Sequence, residues 1–160
     1  MTTSRVFQIN ISDGGVPKLP LLSVDVTVSG LAGDRQRNLK YHGGPDRAVC
    51  LYSLERLLAL QADGHPVYPG ATGENLTLSG VDWDQVVPGT LMRIGESLLI
   101  EITSYADPCP DLLPYFTDGA NYLMDQEKYP GWSRAYARVL QPGTVNVADV
   151  VEIVEKAPAP

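Results

Sequence analysis

Apolar and polar residues alternate with a period of two in two segments near the start of the chain. The first has Phe7, Ile9 and Ile11 as its apolar positions, and the second covers residues 24–28. Such alternation is typical of β-strands that have one face in the core and the other toward solvent. Glycine-containing sequences follow both segments, and we expect turns there.

Further strands are predicted from short apolar runs that are bounded by turn residues. Gly95-Glu96 separates two apolar segments by a tight connection, which indicates a β-hairpin. The later strands are predicted at residues 48–52, 76–78, 91–94, 98–103, 135–140 and 145–154.

One helix is clearly predicted. Ser53 is a candidate N-cap, because its hydroxyl can accept a hydrogen bond from a backbone N–H group of the first turn. Leu54, Leu57 and Leu58 then form the apolar face of the helix, and Gly64 marks its end.

These elements predict a mainly β fold with a few short helices. Many short strands and frequent turns, with residues 111–128 only loosely helical, favour a closed or nearly closed β-barrel. Strands and helices do not alternate, and neither Gly-x-Gly-x-x-Gly nor a P-loop occurs, which disfavours nucleotide-binding folds. The length of 160 residues suits a single domain, predicted over residues 1–156, with a frayed tail at 157–160.

Composition narrows the classes of protein. Apolar residues make up 44% of the chain, which is enough for a core. The net charge of −7 lies entirely in residues 81–160, because residues 1–80 hold seven basic and seven acidic residues. We therefore expect no nucleic-acid partner. No apolar run reaches the roughly 20 residues of a membrane span and no signal peptide is evident, so we expect a cytoplasmic protein without a membrane partner.

Within the neutral first half, residues 35–47 carry a local excess of positive charge. Such a segment fits either a small anionic ligand or a solvated loop, and both alternatives stay open here. The sequence His42-Gly43-Gly44 lets backbone N–H groups approach a phosphate beside basic side chains, although Gly-Gly-Pro is also common in turns. The charged residues of this segment are Arg35, Arg37, Lys40, Asp46 and Arg47.

Cys109 lies between two prolines. These prolines disfavour a helix or a central strand and stiffen the backbone, so the thiol is placed to meet a ligand, with an inert loop thiol as the alternative. Asp107 and Asp111 disfavour the thiolate, so a reactive Cys109 requires a nearby metal or cation. Cys50 lies in an apolar run and is expected to be a small buried residue.

Two weaker polar groups complete the candidates. Glu74 and Asn75 begin a predicted strand, where they can hydrogen-bond a heterocycle or fix the rim of a barrel. Arg134 and Arg138 share one face of another predicted strand, which fits either an anion site or a salt-bridged surface. The histidines and cysteines of the chain match no spacing of zinc ligands.

Four motifs occur in the order that is found in a known family. Together they resemble the MOSC family, which is named for the C-terminal domain of molybdenum cofactor sulfurase. The resemblance extends from about Val6 to Ile153 and is that of a stand-alone member of the family. The motifs are residues 40–52, Gly73-Glu74-Asn75-Leu76, Pro108-Cys109 and Tyr136-Ala137-Arg138-Val139-Leu140.

The resemblance implies a MOSC-type β-barrel, similar to the barrel domain of pyruvate kinase, that binds the molybdenum cofactor (molybdopterin). It implies that Cys109 ligates the metal and that N-hydroxylated small molecules are reduced, with His42 or a bound water as proton donor. A separate redox partner protein is expected, since no flavin, haem or iron–sulfur motif is present. Pyridoxal phosphate, which descriptions of the family mention, has no supporting lysine motif here. The implied cofactor-binding residues are Lys18, Arg35, Arg37, His42, Gly43, Gly44, Arg47, Glu74, Asn75 and Arg138.

The chain departs from the family pattern at two places. Pro110-Asp111 follows the cysteine where many members have a basic or polar residue, which bears on cofactor affinity or substrate charge. Ala148-Asp149 replaces the Gly-Asp that begins the closing strand, which concerns only a turn. Two other functions stay open beside the reductase: sulfur transfer through a persulfide on Cys109, and non-catalytic carriage of the cofactor.

Overall fold

The structure is a computed structural model that describes residues 3–35 and 44–155. Within these residues it is mainly β with a few short helices, as the sequence predicts, and no helix is long and apolar enough to cross a membrane. The strands are β1 (Arg5–Ile11), β2 (Leu19–Leu21), β3 (Ser23–Thr27), β4 (Gly30–Leu31), β5 (Val49–Ser53), β6 (Leu76–Ser79), β7 (Leu91–Ile94), β8 (Leu98–Ala106), β9 (Arg134–Gln141), β10 (Gly143–Asn146) and β11 (Val151–Glu155). The α-helix is α1 (Leu54–Ala62), and the 3-10 helices are Pro45–Arg47, Trp83–Gln85, Pro110–Tyr115 and Thr117–Met124.

The strands form two sheets. The large sheet has the order β11-β7-β8-β9-β5-β6-β1-β2, and the small sheet has the order β10-β3-β4. The edge strands β11 and β2 do not pair with each other in the described residues, so strand pairing does not close the large sheet into a continuous barrel. An isolated bridge between Arg5 of β1 and Val150, beside β11, joins the two sides at one point. The predicted barrel therefore describes this sheet only loosely.

Strand β1 differs from its predicted orientation. Val6 and Ile9 are buried in the core, whereas Phe7 is 46% exposed. The pairing of β1 with β6 is irregular between Val6 and Gln8, as in a β-bulge. Because a bulge adds one residue to a strand, it changes which side chains face inward, and the simple alternation of Phe7, Ile9 and Ile11 fails here.

Strands β5 and β6 are connected by α1 in one βαβ unit, which the sequence analysis did not predict. They pair in parallel, with Leu51 opposite Leu76, whereas the other strand pairs are antiparallel. Parallel neighbours require a crossover connection, and α1 provides it. All residues of β5 are buried, because β9 and β6 flank the strand and both of its faces are covered.

The ends of α1 agree with the prediction, but its apolar face does not. The Ser53 hydroxyl accepts a hydrogen bond from the Arg56 N–H at 3.1 Å, which confirms the N-cap. Leu57 and Leu60 are buried, whereas Leu58 is 50% exposed. The buried stripe therefore follows the three-residue spacing from Leu57 to Leu60, and the prediction for Leu58 is wrong.

The C-terminal part contains a confirmed hairpin and one corrected strand. Ile94 of β7 pairs with Leu98 of β8 across the predicted turn. The strand predicted over 145–154 is divided into β10 and β11, which belong to different sheets. Ala148 has a positive φ of 77° between them, a conformation that interrupts an extended chain. The predicted frayed tail lies outside the described residues.

We predict that Ser53→Ala lowers the free energy of unfolding by about 1 kcal/mol, because the N–H group of Arg56 loses its capping acceptor. Urea denaturation of the variant and of the wild type measures this difference. Ser29→Ala, at an exposed position, is the control and is expected to change stability by less than about 0.5 kcal/mol. Equal stability of Ser53→Ala and the wild type would contradict the capping role.

Candidate functional site

The face of the large sheet that points away from the main core carries a second group of buried side chains. Cys50 of β5 lies opposite Tyr136 of β9, and these two side chains cluster with Ala106 of β8. Their neighbours Leu51 and Ala135 point into the main core. Because side chains alternate across a strand, Cys50 and Tyr136 face the other side, where the candidate site lies.

Tyr136 is the centre of this site. Burial is the main cause that raises the pKa of its hydroxyl above the usual range. Cys50 and Cys109 raise that pKa further, whereas the positive charges of Arg134 and Arg47 lower it. The central carbon of the Arg47 guanidinium lies 5.6 Å from the centroid of the Tyr136 ring, as in a cation–π contact. We call Tyr136, Arg47, Cys109 and Arg134 the Tyr136 cluster.

Cys50 lies behind this cluster and is 5% exposed. Burial raises the pKa of its thiol to about 11, and the opposing effect of Arg134 is smaller. The thiol is therefore protonated at neutral pH. The predicted burial of Cys50 is confirmed, although the residue belongs to the site face and not to the main core.

Cys109 lies in a loop, directly before the 3-10 helix Pro110–Tyr115. It is half-buried and packs against the core. Its carbonyl oxygen accepts hydrogen bonds from the Asn121 side-chain amide at 3.0 Å and from the Leu112 N–H at 3.1 Å. The loop position predicted from the flanking prolines is confirmed, and the ligand role of Cys109 stays a prediction.

Arg134 lies at the start of β9 and is 4% exposed. Its Nη1 donates to the Thr72 carbonyl at 2.6 Å, and its Nη2 donates to the Asp107 carbonyl at 2.8 Å. Its Nε is buried and has no hydrogen-bond partner among residues 3–35 and 44–155. The guanidinium therefore connects the loop that contains Thr72 and Gly73 to the loop that carries Cys109. It lies close to Gly73, since a Cβ added to this glycine would be 3.8 Å from Nη1.

Two other basic residues predicted for the site pair with carboxylates at the surface. Arg138 lies 3.4 Å from Asp46 and 3.4 Å from Glu101, measured from guanidinium nitrogens to carboxylate oxygens. Arg35 lies 3.7 Å from Asp13, and both of these side chains are largely exposed. Exposed pairs of this kind contribute little to stability.

Lys18 forms a buried ion pair. Its Nζ lies 2.6 Å from Oδ1 of Asp34, with both side chains at most 5% exposed, and 3.4 Å from the Ser12 hydroxyl. The same Asp34 oxygen accepts a hydrogen bond from the Ser12 N–H at 3.0 Å. Since a buried charge needs close partners, this pair holds Lys18 in place, and its two charges act on the pKa of Cys50 in opposite directions.

Asn75 joins three separate segments of the chain. Its Oδ1 accepts from the Cys50 N–H at 3.0 Å, and its Nδ2 donates to Asp34 at 2.9 Å and to the Asn10 carbonyl at 3.3 Å. The side chain is fully buried. Its hydrogen-bonding capacity is thus used within the protein, and it fixes β5 relative to β1 and β6.

Glu74 is also fully buried. Its carboxylate accepts hydrogen bonds from the Thr72 and Thr77 hydroxyls at 2.7 and 2.9 Å. Burial is the main cause that raises the pKa of this carboxyl, and the hydrogen bonds oppose it. Glu74 therefore faces the interior beside the loop that Arg134 contacts.

Part of the predicted site lies outside the described residues, namely Arg37, His42 and Gly43. Gly44 is exposed and has a positive φ of 82°, before the 3-10 helix Pro45–Arg47. Within the described ranges, no group of three or more His, Cys, Asp or Glu side chains could hold a metal ion. The sequence places Arg134 only on the same strand face as Arg138. Its contacts with Thr72 and Asp107 are made by loops distant in sequence, which strand periodicity does not predict.

Comparison with known proteins supports the family resemblance. The sequence pattern of the MOSC domain matches residues 38–152. The uncharacterized protein YflK of Bacillus subtilis strain 168 is 31% identical over 144 residues, which cover 89% of this chain and 64% of YflK. The protein YiiM of Escherichia coli strain K12 is 34% identical over 137 residues, which cover 82% of this chain and 59% of YiiM. The chain thus spans less than two thirds of the length of either relative.

The crystal structure of YiiM from Escherichia coli matches with a TM-score of 0.70 and 27% sequence identity, covering 98% of this chain and 71% of that one. A more distant relative, a protein of Gibberella moniliformis named reductase, is 27% identical over 135 residues. These residues cover 81% of this chain and 23% of that protein. The fold described above is therefore shared with solved relatives.

We predict that a neutral alkylating reagent modifies Cys109 in the native protein and leaves Cys50 unmodified. At about pH 8 the Cys50 thiol, with its pKa raised to about 11, is both protonated and buried, whereas Cys109 is partly exposed. Peptide mass spectrometry after treatment with iodoacetamide identifies the modified site. Denatured protein is the control, in which both cysteines react; native labelling of Cys50 would contradict the buried position.

We further predict that Glu74→Gln gains stability relative to the wild type as the pH rises from about 4 to about 7. The folded state holds the proton of Glu74 more tightly than the unfolded state, because burial raises the pKa above the ordinary value of a glutamate carboxyl, 4.5. At pH values below 4.5, Glu74 is protonated in the folded and the unfolded protein, and the free energy of unfolding does not depend on its ionisation. At higher pH the unfolded state ionises first, so the wild type loses stability until the carboxyl of the folded protein also ionises. Urea denaturation at several pH values tests this, with the exposed Glu96→Gln as the control. A difference that does not change with pH would contradict it.

Proposed function

The chain belongs to the MOSC domain family, and from that premise we propose that it binds the molybdenum cofactor through Cys109 and reduces N-hydroxylated small molecules. The observation that carries the proposal is the half-buried thiol of Cys109, in a fixed loop, beside the positive charges of Arg47 and Arg134. The relative named reductase supports an oxidoreductase function.

The ligand chemistry of the described residues fits this cofactor. A metal that is bound by protein side chains alone needs three or four of them, and no such group occurs in the described part of the chain. A metal that is already held by the two dithiolene sulfurs of a pterin needs only one further soft ligand. A cysteine thiolate is such a ligand, and Cys109 would provide it.

Positive charge in the site fits the pterin phosphate. We assign Arg47 to this group, because it is half-buried and contacts Tyr136, beside Cys109. Arg37, His42, Gly43 and Gly44 remain proposed cofactor residues from the family motif. The other predicted cofactor residues, Lys18, Arg35, Glu74, Asn75 and Arg138, are held by partners within the protein and would shape or charge the surroundings of the site.

When bound, the cofactor supplies two-electron redox chemistry. The chain provides the thiolate of Cys109 and orients the cofactor through its basic residues. His42 or a bound water is the proposed proton donor. A small molecule with an N–O bond is the proposed substrate, and a separate redox partner protein is proposed as the source of electrons.

The proposal is tested by metal and pterin analysis of protein that is produced in a host that makes the cofactor. We predict molybdenum and pterin in the wild type and in Cys50→Ala, and loss of both the thiolate–molybdenum spectrum and turnover in Cys109→Ser. Part of the pterin binding is expected to persist in Cys109→Ser through the basic residues. A wild-type protein without molybdenum, which also fails to bind added cofactor, would refute the proposal.

The same protein samples distinguish the two alternatives. Added mass of one sulfur atom on Cys109 would favour sulfur transfer through a persulfide. Bound cofactor without turnover of any N-hydroxylated compound, even with a chemical reductant, would favour a carrier. Neither result is expected if Cys109 is a metal ligand in a reductase.

A further inference from the structure

Arg134 differs from the other described arginines that pair with carboxylates. It is almost fully buried, and none of the ion pairs in residues 3–35 and 44–155 includes it. In the described part of the chain, its guanidinium bonds to two neutral carbonyl groups and its Nε has no hydrogen-bond partner. A buried charge is normally paired with an opposite charge and fully hydrogen-bonded, because burial without partners is costly. A buried guanidinium without a carboxylate partner is therefore a candidate for a functional role.

We propose that Arg134 is a positioning residue that holds the Cys109 loop and supplies the positive charge by which the thiol site favours anionic ligands. This proposal rests on the proposed function in one respect: both take Cys109 as the group that binds the ligand. The ligand class that it names is a small molecule or cofactor group with negative charge near the thiol.

The positioning part of the proposal rests on hydrogen bonds on both sides of the thiol. Arg134 donates to the carbonyl of Asp107, two residues before Cys109. Asn121, in the 3-10 helix Thr117–Met124, donates to the carbonyl of Cys109 itself. With prolines at 108 and 110, these two bonds leave the backbone around the thiol little freedom.

The electrostatic part rests on the lack of an ion pair at Arg134 within the described residues. Arg138, four residues further along the same strand, is matched by Asp46 and Glu101 at the surface. Arg134 has no such ion pair within residues 3–35 and 44–155; the buried carboxyl of Glu74 opposes it at Cys50, but the effect of Arg134 there is the larger.

Burial reduces the screening of the Arg134 field by water. The Nη2 of Arg134 bonds to the Asp107 carbonyl at 2.8 Å, two residues before Cys109, so the charge lies next to the loop that carries the thiol. A negative group that approaches Cys109 is therefore attracted.

The test uses the protein without cofactor and compares two alkylating reagents, anionic iodoacetate and neutral iodoacetamide. Both react with the thiolate, so the ratio of their rates at Cys109 reports the attraction of a negative group and cancels the degree of ionisation. N-acetylcysteine provides the reference ratio. We expect the ratio in the wild type to exceed the reference, and Arg134→Gln to lower it severalfold, because a buried positive charge attracts the anionic reagent and leaves the neutral one unaffected.

Two further variants separate charge from packing. Arg134→Lys keeps the charge and is expected to retain the ratio within about twofold, although one ammonium cannot span both carbonyls in the same way. Arg93→Gln removes one positive charge from β7, away from the site, and is expected to leave the ratio unchanged. Hydrogen exchange at the Leu112 amide, which bonds to the Cys109 carbonyl, should accelerate in both Arg134 variants.

The proposal is overturned if the ratio in the wild type equals the reference, or if Arg134→Gln keeps the ratio of the wild type. Should Arg134→Gln fail to fold, the ratio in the wild type and in Arg134→Lys decides. Unchanged exchange at Leu112 in both variants would refute the positioning part. The ratio does not depend on molybdenum, so absence of cofactor with a high ratio refutes only the proposed function, and bound cofactor with a reference ratio refutes only this inference.

Discussion

The buried amide of Asn75 holds the site face together, because a buried polar side chain must use its hydrogen-bonding groups within the protein. It bonds to the backbone of Cys50, to the backbone of Asn10 and to the carboxylate of Asp34. Asp34 in turn pairs with Lys18. One side chain thus sets the position of β5 relative to β1, and Cys50 of β5 in turn lies opposite Tyr136 of β9.

The electric field at the site depends more on how deeply each charged residue is buried than on how many charged residues lie nearby. Asp107 and Asp111 flank Cys109 in sequence and are exposed, so water screens them. Arg134 contributes a single positive charge, but it lies in a medium of lower dielectric, where its field is stronger. A segment that is acidic by composition can therefore still place a buried positive charge next to the loop that carries a thiol. Arg138, by contrast, is exposed and pairs with Asp46 at the surface.

Local sequence patterns predicted most of the helices and strands, because the interactions that start and end these elements are made between residues close in sequence. The cap at Ser53 and the hairpin between β7 and β8 follow from hydrogen bonds and turns within a few residues. The inward face of β1 did not follow, because the bulge arises in the pairing with β6, some seventy residues away. The parallel pair of β5 and β6 was also missed, since one short crossover helix leaves no repeated alternation in the sequence.

The sequence alone determined the family, the mainly β fold, the loop position of Cys109 and the local excess of basic residues. Only the tertiary structure decided that, among the described residues, Arg138 has carboxylate partners and Arg134 has none. Arg134 and Arg138 share one face of β9, and alternation treats them alike. The loops that carry Thr72 and Asp107 cover Arg134, whereas Arg138 reaches the surface beside Glu101. Burial depends on segments distant in sequence, and no periodicity within a strand contains that information.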